Sequence, residues 1–381
     1  MANTLNLGTD GNWATKEGST LAYNDENDNY KPLPFTFTRA SSATVVNKAG
    51  LIETVGNGIP RIDFLGNTQG ALKLEPQSTN LINYSNYITS INNVTASYNA
   101  AESPEGILNA PIFTATSTDP FVRSSTFSIT TGNTYTMSFY IKGFGTSVGK
   151  TCAASATTLG GTTFTLTDSW QRISYSGVST STRTNAQLRI DAPNVGTVVG
   201  EQFSVWGLQT ENQSYATSYI STQGSVVTRV ADSCNNGANE QVINSTEGVL
   251  YAEVSLLSPA TSSAIISLSD GSSNRLYFEF FTANRLYTII ENGSSSFNTV
   301  QTITQTNNNK LAFKYSASSC KLYINGTGYS FGGLNFSSGT LDTLNFASSN
   351  GTSAKFIGNV TDVRVYNTLL TDSELATLTQ V

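Results

Sequence analysis

Short runs of alternating apolar and polar residues, punctuated by glycine and asparagine, recur along this chain and leave it little to fold into except β-sheet. The clearest run is residues 134–141, where Tyr135, Met137, Phe139 and Ile141 share one face at the period of two that a half-buried strand requires. Residues 170–175 and 202–208 read as further strands of the same block. A third set, opening at Gly248 and including 310–315, 321–326 and 356–366, follows at hairpin distances. Asn325-Gly326 supplies a turn that tolerates positive φ. Thr371 with Glu374 forms a capping box, which predicts one short terminal helix. The 19 Phe and 17 Tyr exclude a disordered chain. The fold class that follows is all-β, with two sandwiches in tandem behind an N-terminal segment.

At 381 residues the chain is too long for one ordinary sandwich. The expected division is 1–80 as an N-terminal segment, 81–225 as a first sandwich, 226–247 as a polar linker and 248–381 as a second sandwich. Residues 1–80 hold few apolar groups, among them Phe35, Phe37, Leu51, Ile52, Ile62 and Phe64, and are expected to order only against a partner. The acidic stretch Asp25, Glu26, Asn27, Asp28 reads as solvated loop.

Several functions are excluded outright. The chain has no histidine, which removes Ser-His-Asp and Cys-His nucleophiles and the commonest zinc ligand together. A net charge of −6 disfavours nucleic acid and anionic lipid as partners. No apolar run is long enough for a membrane helix, and the opening MANTLNLGTDGNW lacks the basic and apolar parts of a signal peptide. Cys152, Cys234 and Cys320 have no metal spacing and are expected as free thiols in a reducing compartment. No glycine-rich phosphate loop opens a helix. Glu253 and Glu279 each stand alone on a strand, so the paired acids of glycoside hydrolysis are not visible.

The third block resembles the laminin-G-like, concanavalin-A-like sandwiches, through "KLAFKYS", "CKLYINGT" and "FIGNVTDVRVYNTLLTDSELATL". Such sandwiches bind sugars, bind proteins or fill space. The second block resembles a carbohydrate-binding-module jelly roll, through "YTMSFYIKG", "SWQRISYSG" and "FSVWGLQTE". The flanking stretches "FTRASSATVVNKAGLIETVGNGIPRIDF", "LKLEPQSTNLINYSN" and "ENQSYATSYISTQGSVVTRVAD" resemble a framework found in bacteriophage structural proteins. The resemblance implies a non-enzymatic virion protein, a tail or head fibre or a capsid decoration protein. It would be made in the host cytoplasm and released by lysis. Its implied partners are other virion proteins (capsid, portal or tail), two further copies of itself in a homotrimer, and host surface polysaccharide. A polysaccharide-degrading tail spike and a capsid or tail component without ligand are the alternatives.

Candidate site residues follow. Trp170 and Trp206 can stack on sugar rings or pack the sandwich. Trp13, in a polar context, reads as an interface anchor. Asp270, Asn274 and Asn292 lie at loop tips, where sandwiches carry recognition. The laminin-G-like resemblance implies Ca2+ as an optional ion at such a rim, held by carboxylate and amide oxygens. Asp270-Gly271 also makes an ordinary hairpin turn, the simpler reading of this pair. Arg39, Arg61 and Arg229 sit near acids such as Asp63 and Asp232. They could lock the flanking stretches in place or form routine surface pairs.

Overall fold

The computed structural model describes residues 4–24, 31–88, 90–193, 199–334 and 336–381. The acidic stretch 25–28 lies outside the described residues. The chain forms two compact units: unit 1 comprises Met1–Ser42, Val55–Pro76 and Ala231–Val381, and unit 2 comprises Ala43–Thr54 and Gln77–Val230. Both are built from antiparallel strands, and the helix at Asp372–Leu378 is short.

Unit 1 is a sandwich of a twelve-stranded and a five-stranded sheet. Nine strands of the larger sheet follow one path, through Ser233–Asn235, Lys31–Thr38, Ser19–Asn24, Leu5–Leu7, Gly358–Tyr366, Glu247–Leu256, Asn309–Ser316, Cys320–Ile324 and Thr327–Phe331, and Ala14–Lys16, Ile62–Asp63 and Ala71–Leu74 pair off it. The smaller runs through Ser296–Thr302, Arg285–Asn292, Asn274–Phe281, Ala264–Ser269 and Thr343–Asn345. Their inner faces meet in one core, with Phe278 and Phe313 rings 6.1 Å apart. Asn325 and Gly326 take φ of 48° and 87°, as their turn requires. The terminal helix carries its capping box: Thr371 Oγ1 accepts from Glu374 N at 3.3 Å and Thr371 N donates to Glu374 Oε2 at 2.8 Å.

The boundaries expected at 80, 225 and 247 do not coincide with these units. Leu5, Leu7, Phe35, Phe37, Leu72 and Leu74 are buried in the same core as the C-terminal strands. Leu5, Asn6 and Leu7 pair with Val365, Arg364 and Val363, so the N-terminal strand continues the C-terminal sheet. Trp13 anchors here too, its Nε1 donating to Gln69 O at 3.1 Å. Its ring lies 2.4 Å from where a Cβ at Gly8 would be, and Gly8 has φ 75°. Only glycine fits there.

A buried ion network fixes these segments. Arg39 Nη1 lies 3.2 Å from Asp232 Oδ1, Arg61 pairs with the other Asp232 oxygen, and Arg61 Nη1 lies 2.6 Å from Glu75 Oε2. Glu75 N donates to Asp232 Oδ2 at 2.8 Å, and Arg39 Nη2 donates to Gly56 O at 2.6 Å. Of the two readings of these arginines, the lock describes Arg39 and Arg61. Asp232 joins them rather than its sequence neighbour Arg229, which donates to Thr217 Oγ1 at 2.9 Å within unit 2.

Unit 2 holds two five-stranded sheets. One contains Ser90–Asn92, Phe121–Arg123, Leu188–Asp191, Thr151–Ala156 and Gly160–Thr165. The other contains Val94–Glu102, Leu108–Ala115, Gln202–Glu211, Thr134–Phe144 and Gln171–Val178. Tyr135, Met137, Phe139 and Ile141 all enter the core between them. The opposite face of that strand is covered as well: Thr136 Oγ1 donates to Gln213 O at 2.7 Å, and Ser138 Oγ accepts from Arg172 Nη2 at 3.0 Å. A period of two marks the oily face and does not reveal a polar cover on the other. All three cysteines are buried thiols, and burial pushes the Cys320 thiol up to about 11 and raises that of Cys234 as well. Thiols held protonated are poor nucleophiles.

Candidate ligand-binding site

Three consecutive strands of the smaller unit 1 sheet, Asn274–Phe281, Arg285–Asn292 and Ser296–Thr302, create a cleft at their loop ends. The first two pair about the turn at Ala283 and Asn284, whose φ values are 59° and 58°. Every partner is symmetric about residue 283, so Asn274 meets Asn292 and Arg275 meets Glu291. Arg275 Nε and Glu291 Oε1 form an ion pair across the strands. The guanidinium also stands 5.1 Å from the centre of the Tyr277 ring and donates to Ser349 Oγ at 3.4 Å. This pair borders a cleft of about 430 Å³, whose other walls are Ser272, Ser273, Ser294, Ser295, Ser296 and Gly293.

The sequence-derived loop residues shape this cleft from behind. Asp270 Oδ1 accepts from Ser272 N at 2.8 Å and Asn274 N at 3.2 Å, while Oδ2 accepts from Asn274 Nδ2 at 2.6 Å. Asn292 Oδ1 accepts from Ser295 N at 3.0 Å and Ser294 N at 3.3 Å. Asp270, Asn274 and Asn292 are thus the girders of two turns, and the serines they position face the cleft. Gly271 and Gly293 complete the turns with φ of 75° and 76°. The Asp270 carboxylate already serves three donors of its own loop. Among the described residues no group of three or more His, Cys, Asp or Glu could hold a metal. The donor set is that of an Asx turn.

The two tryptophans stand elsewhere, in unit 2. Trp206 is fully buried, its ring 4.5 Å from that of Tyr219 and 5.7 Å from that of Tyr140. It is core, and its place as a sugar platform is corrected: the strand Gln202–Glu211 is buried on both faces. Trp170 is half-buried against the same cluster, and its Nε1 donates to Glu102 O at 2.9 Å. Its ring braces the sandwich. The structure therefore brings Asp270, Asn274 and Asn292 together and leaves Trp170 and Trp206 out.

Two arrangements escaped the linear reading. One is the Arg275–Glu291 pair, which counting outward from the turn at 283 would have exposed. The other is in the larger sheet, where Glu253 sits opposite Asp362 on the adjacent strand. Burial pushes the Asp362 carboxyl up, against the hydrogen bond and charge of Arg364. A raised acid facing a second acid is the pattern of acid–base chemistry. Here the Asp362 oxygens are taken, Oδ1 by Thr9 Oγ1 at 2.7 Å and Oδ2 by Arg364 Nη2 at 2.6 Å, and the side chain is buried. Asp362 thus ties the strand Gly358–Tyr366 to Thr9 and Arg364.

Residues 238–376 match the model of a family described as the concanavalin A-like lectin/glucanases superfamily. The span falls within unit 1 and takes in the whole cleft. No curated protein matches the sequence. Among solved structures, the chain is similar to the CBM40 module of a Ruminococcus gnavus IT-sialidase bound to α2,3-sialyllactose. That likeness has 16% identity over 38% of this chain and 93% of the module, with a TM-score of 0.33. Mouse laminin α1 domains LG4-5 share 12% identity over 65% of this chain and 87% of theirs, at a TM-score of 0.26. The CBM22 tandem of Paenibacillus barcinonensis Xyn10C shares 10% over 77% and 99%, at 0.27. Scores this low carry no argument about ligand.

Proposed function

We propose that this chain is a non-enzymatic structural protein of a bacteriophage virion, a fibre or decoration component, whose unit 1 cleft binds a polysaccharide of the host surface. The observation that carries the binding half is the loop-tip cleft of serine hydroxyls and one Arg–Glu pair, lying inside the span similar to lectins. Sugar hydroxyls donate and accept, and serine hydroxyls do the same. The paired guanidinium and carboxylate add directional bonds of greater strength. Catalysis finds no support there, since Glu291 is the single carboxylate of the cleft and is bound to Arg275.

The virion half rests on the phage-like flanking stretches. They supply Arg39, Arg61, Glu75 and Asp232, whose network is buried. Contacts with capsid, portal or tail proteins and assembly as a homotrimer belong to the same reading. The test has two arms. Mass spectrometry of particles released from the producing bacterium should find the chain, and its absence would end the virion role. Incubation of the full chain with host capsular polysaccharide should retain the polymer intact, and newly released reducing ends would end the non-enzymatic role.

A further inference from the structure

We infer a second, separate binding surface on unit 2: Tyr84, Tyr87 and Tyr98 form an aromatic platform for an uncharged glycan chain. The three side chains are 43%, 52% and 50% exposed, in a unit whose other large aromatics mostly fill the core. The rings of Tyr87 and Tyr98 are stacked, 5.7 Å apart and inclined by 17°, and Tyr84 meets Tyr87 edge-on at 6.2 Å. Half-exposed aromatic faces held together in water are a surface built for contact rather than a product of packing.

The backbone presents the platform rigidly. Ser85 Oγ lies 2.6 Å from Tyr219 Oη, Tyr219 Oη donates to Asn86 Oδ1 at 2.6 Å, and Ser85 N donates to Thr222 O at 3.3 Å. Tyr219 is itself buried. The loop bearing Tyr84 and Tyr87 is thereby tied to the core. Tyr98 lies on Val94–Glu102, whose pairing shifts register between Ser97 and Ala101, and Asn99 takes φ 52°. A bulge of this kind re-aims a side chain outward. Burial first, then the Tyr87 hydroxyl, raises the Tyr98 phenol, so that ring stays neutral at ordinary pH.

The chemistry around the rings selects the occupant. Residues 81–101 and 219–228, which carry and support the platform, contain no Asp, Glu, Lys or Arg and are rich in Asn, Ser and Thr. Arg123, opposite Ser90, lays its guanidinium over Phe121 at 4.5 Å. A nucleic acid strand needs a basic groove beside its stacking rings, and none is carried by these stretches. A pyranose offers C–H faces to aromatic rings and hydroxyls to amide and hydroxyl neighbours, with no charge to compensate.

Affinity electrophoresis of the full chain tests this, with xylan, β-glucan, galactomannan and dextran in separate gels and polysialic acid as the anionic control. At least one neutral polymer should retard the wild type. Tyr87→Ala and Tyr98→Ala should each weaken that retardation about tenfold. Tyr87→Phe and Tyr98→Phe should bind within about threefold of wild type, because the stacking face remains. Arg275→Ala, in the other unit, should leave it unchanged, so failure here and failure of the unit 1 cleft are separable. The inference is overturned if no neutral polymer retards the wild type or if the alanine variants bind as it does. It is equally overturned if those variants change the sedimentation coefficient, which would make the patch a subunit contact. Binding of a proline-rich peptide with no polysaccharide response would overturn it as well.

Discussion

Each unit buries a carboxylate where its flanking segments meet the sandwich, and the two solve the resulting problem differently. In unit 1, Asp232 is neutralised by two guanidinium groups, Arg39 and Arg61. In unit 2, Glu211 is fully buried among five neutral donors. Ser78 Oγ and Gln213 Nε2 reach one oxygen at 2.6 and 3.0 Å, and Thr217 Oγ1 joins them there. Gln209 Nε2 and Thr217 N reach the other at 2.8 and 3.0 Å. One of these donors, Thr217 Oγ1, in turn accepts from Arg229 Nη1 at 2.9 Å. An ion-paired anchor fails by stranding a charge, whereas a hydrogen-bonded one fails by losing acceptors singly.

Amide isosteres break the comparison most directly. Asp232→Asn leaves Arg39 facing an amide and Arg61 with Glu75, and should cost about 3–5 kcal/mol of unit 1 stability. Hydrogen exchange should show Lys31–Thr38 and Ser233–Asn235 losing protection while Thr134–Phe144 keeps its own. Glu211→Gln keeps one acceptor oxygen and should cost about 1–3 kcal/mol, read as lost protection around 77–80 and 213–218. Equal costs for the two variants would erase the distinction.

The smallest effect sharpens the contrast between buried and exposed charge. Asp372 pairs with Lys321 at the start of the terminal helix, and that lysine holds its carboxyl below the usual range. A carboxylate depressed in the folded state adds stability above its unfolded pKa, near 3.9 or so, and loses it as pH falls through the folded value. The pair is exposed, so salt screens it. Asp372→Asn should lower Tm slightly at pH 7 in dilute buffer. The difference should vanish near pH 2 and shrink in about 1 M salt.

What the linear pattern revealed was local. The strand at 134–141, the Asn325-Gly326 turn and the Thr371 capping box each depend on residues within one turn or one strand of each other, and each stands in the structure. The loop tips at Asp270 and Asn292 were legible for the same reason, since Asx turns close over a few residues. Partners far apart in the chain were not. Leu5–Leu7 is too short to display a period, yet it pairs with a strand about 360 residues away. Asp232 meets Arg39 across 193 positions and Glu253 meets Asp362 across a sheet. Trp206 shows the remaining limit: its neighbours in sequence favour a core without excluding a platform, and Tyr140 and Tyr219 decide for the core.

The central claim is that the serine-lined cleft beside Arg275 and Glu291 holds a host polysaccharide, and retention of the full chain on host capsular polysaccharide tests it most directly. Arg275→Ala should weaken retention about tenfold, and Glu291→Gln should weaken it by a smaller factor because one acceptor oxygen remains. Tyr98→Ala, in the other unit, should leave retention on this polymer intact if the cleft is its site. Wild-type retention in the Arg275→Ala variant, with the fold preserved by hydrogen exchange, would contradict the claim.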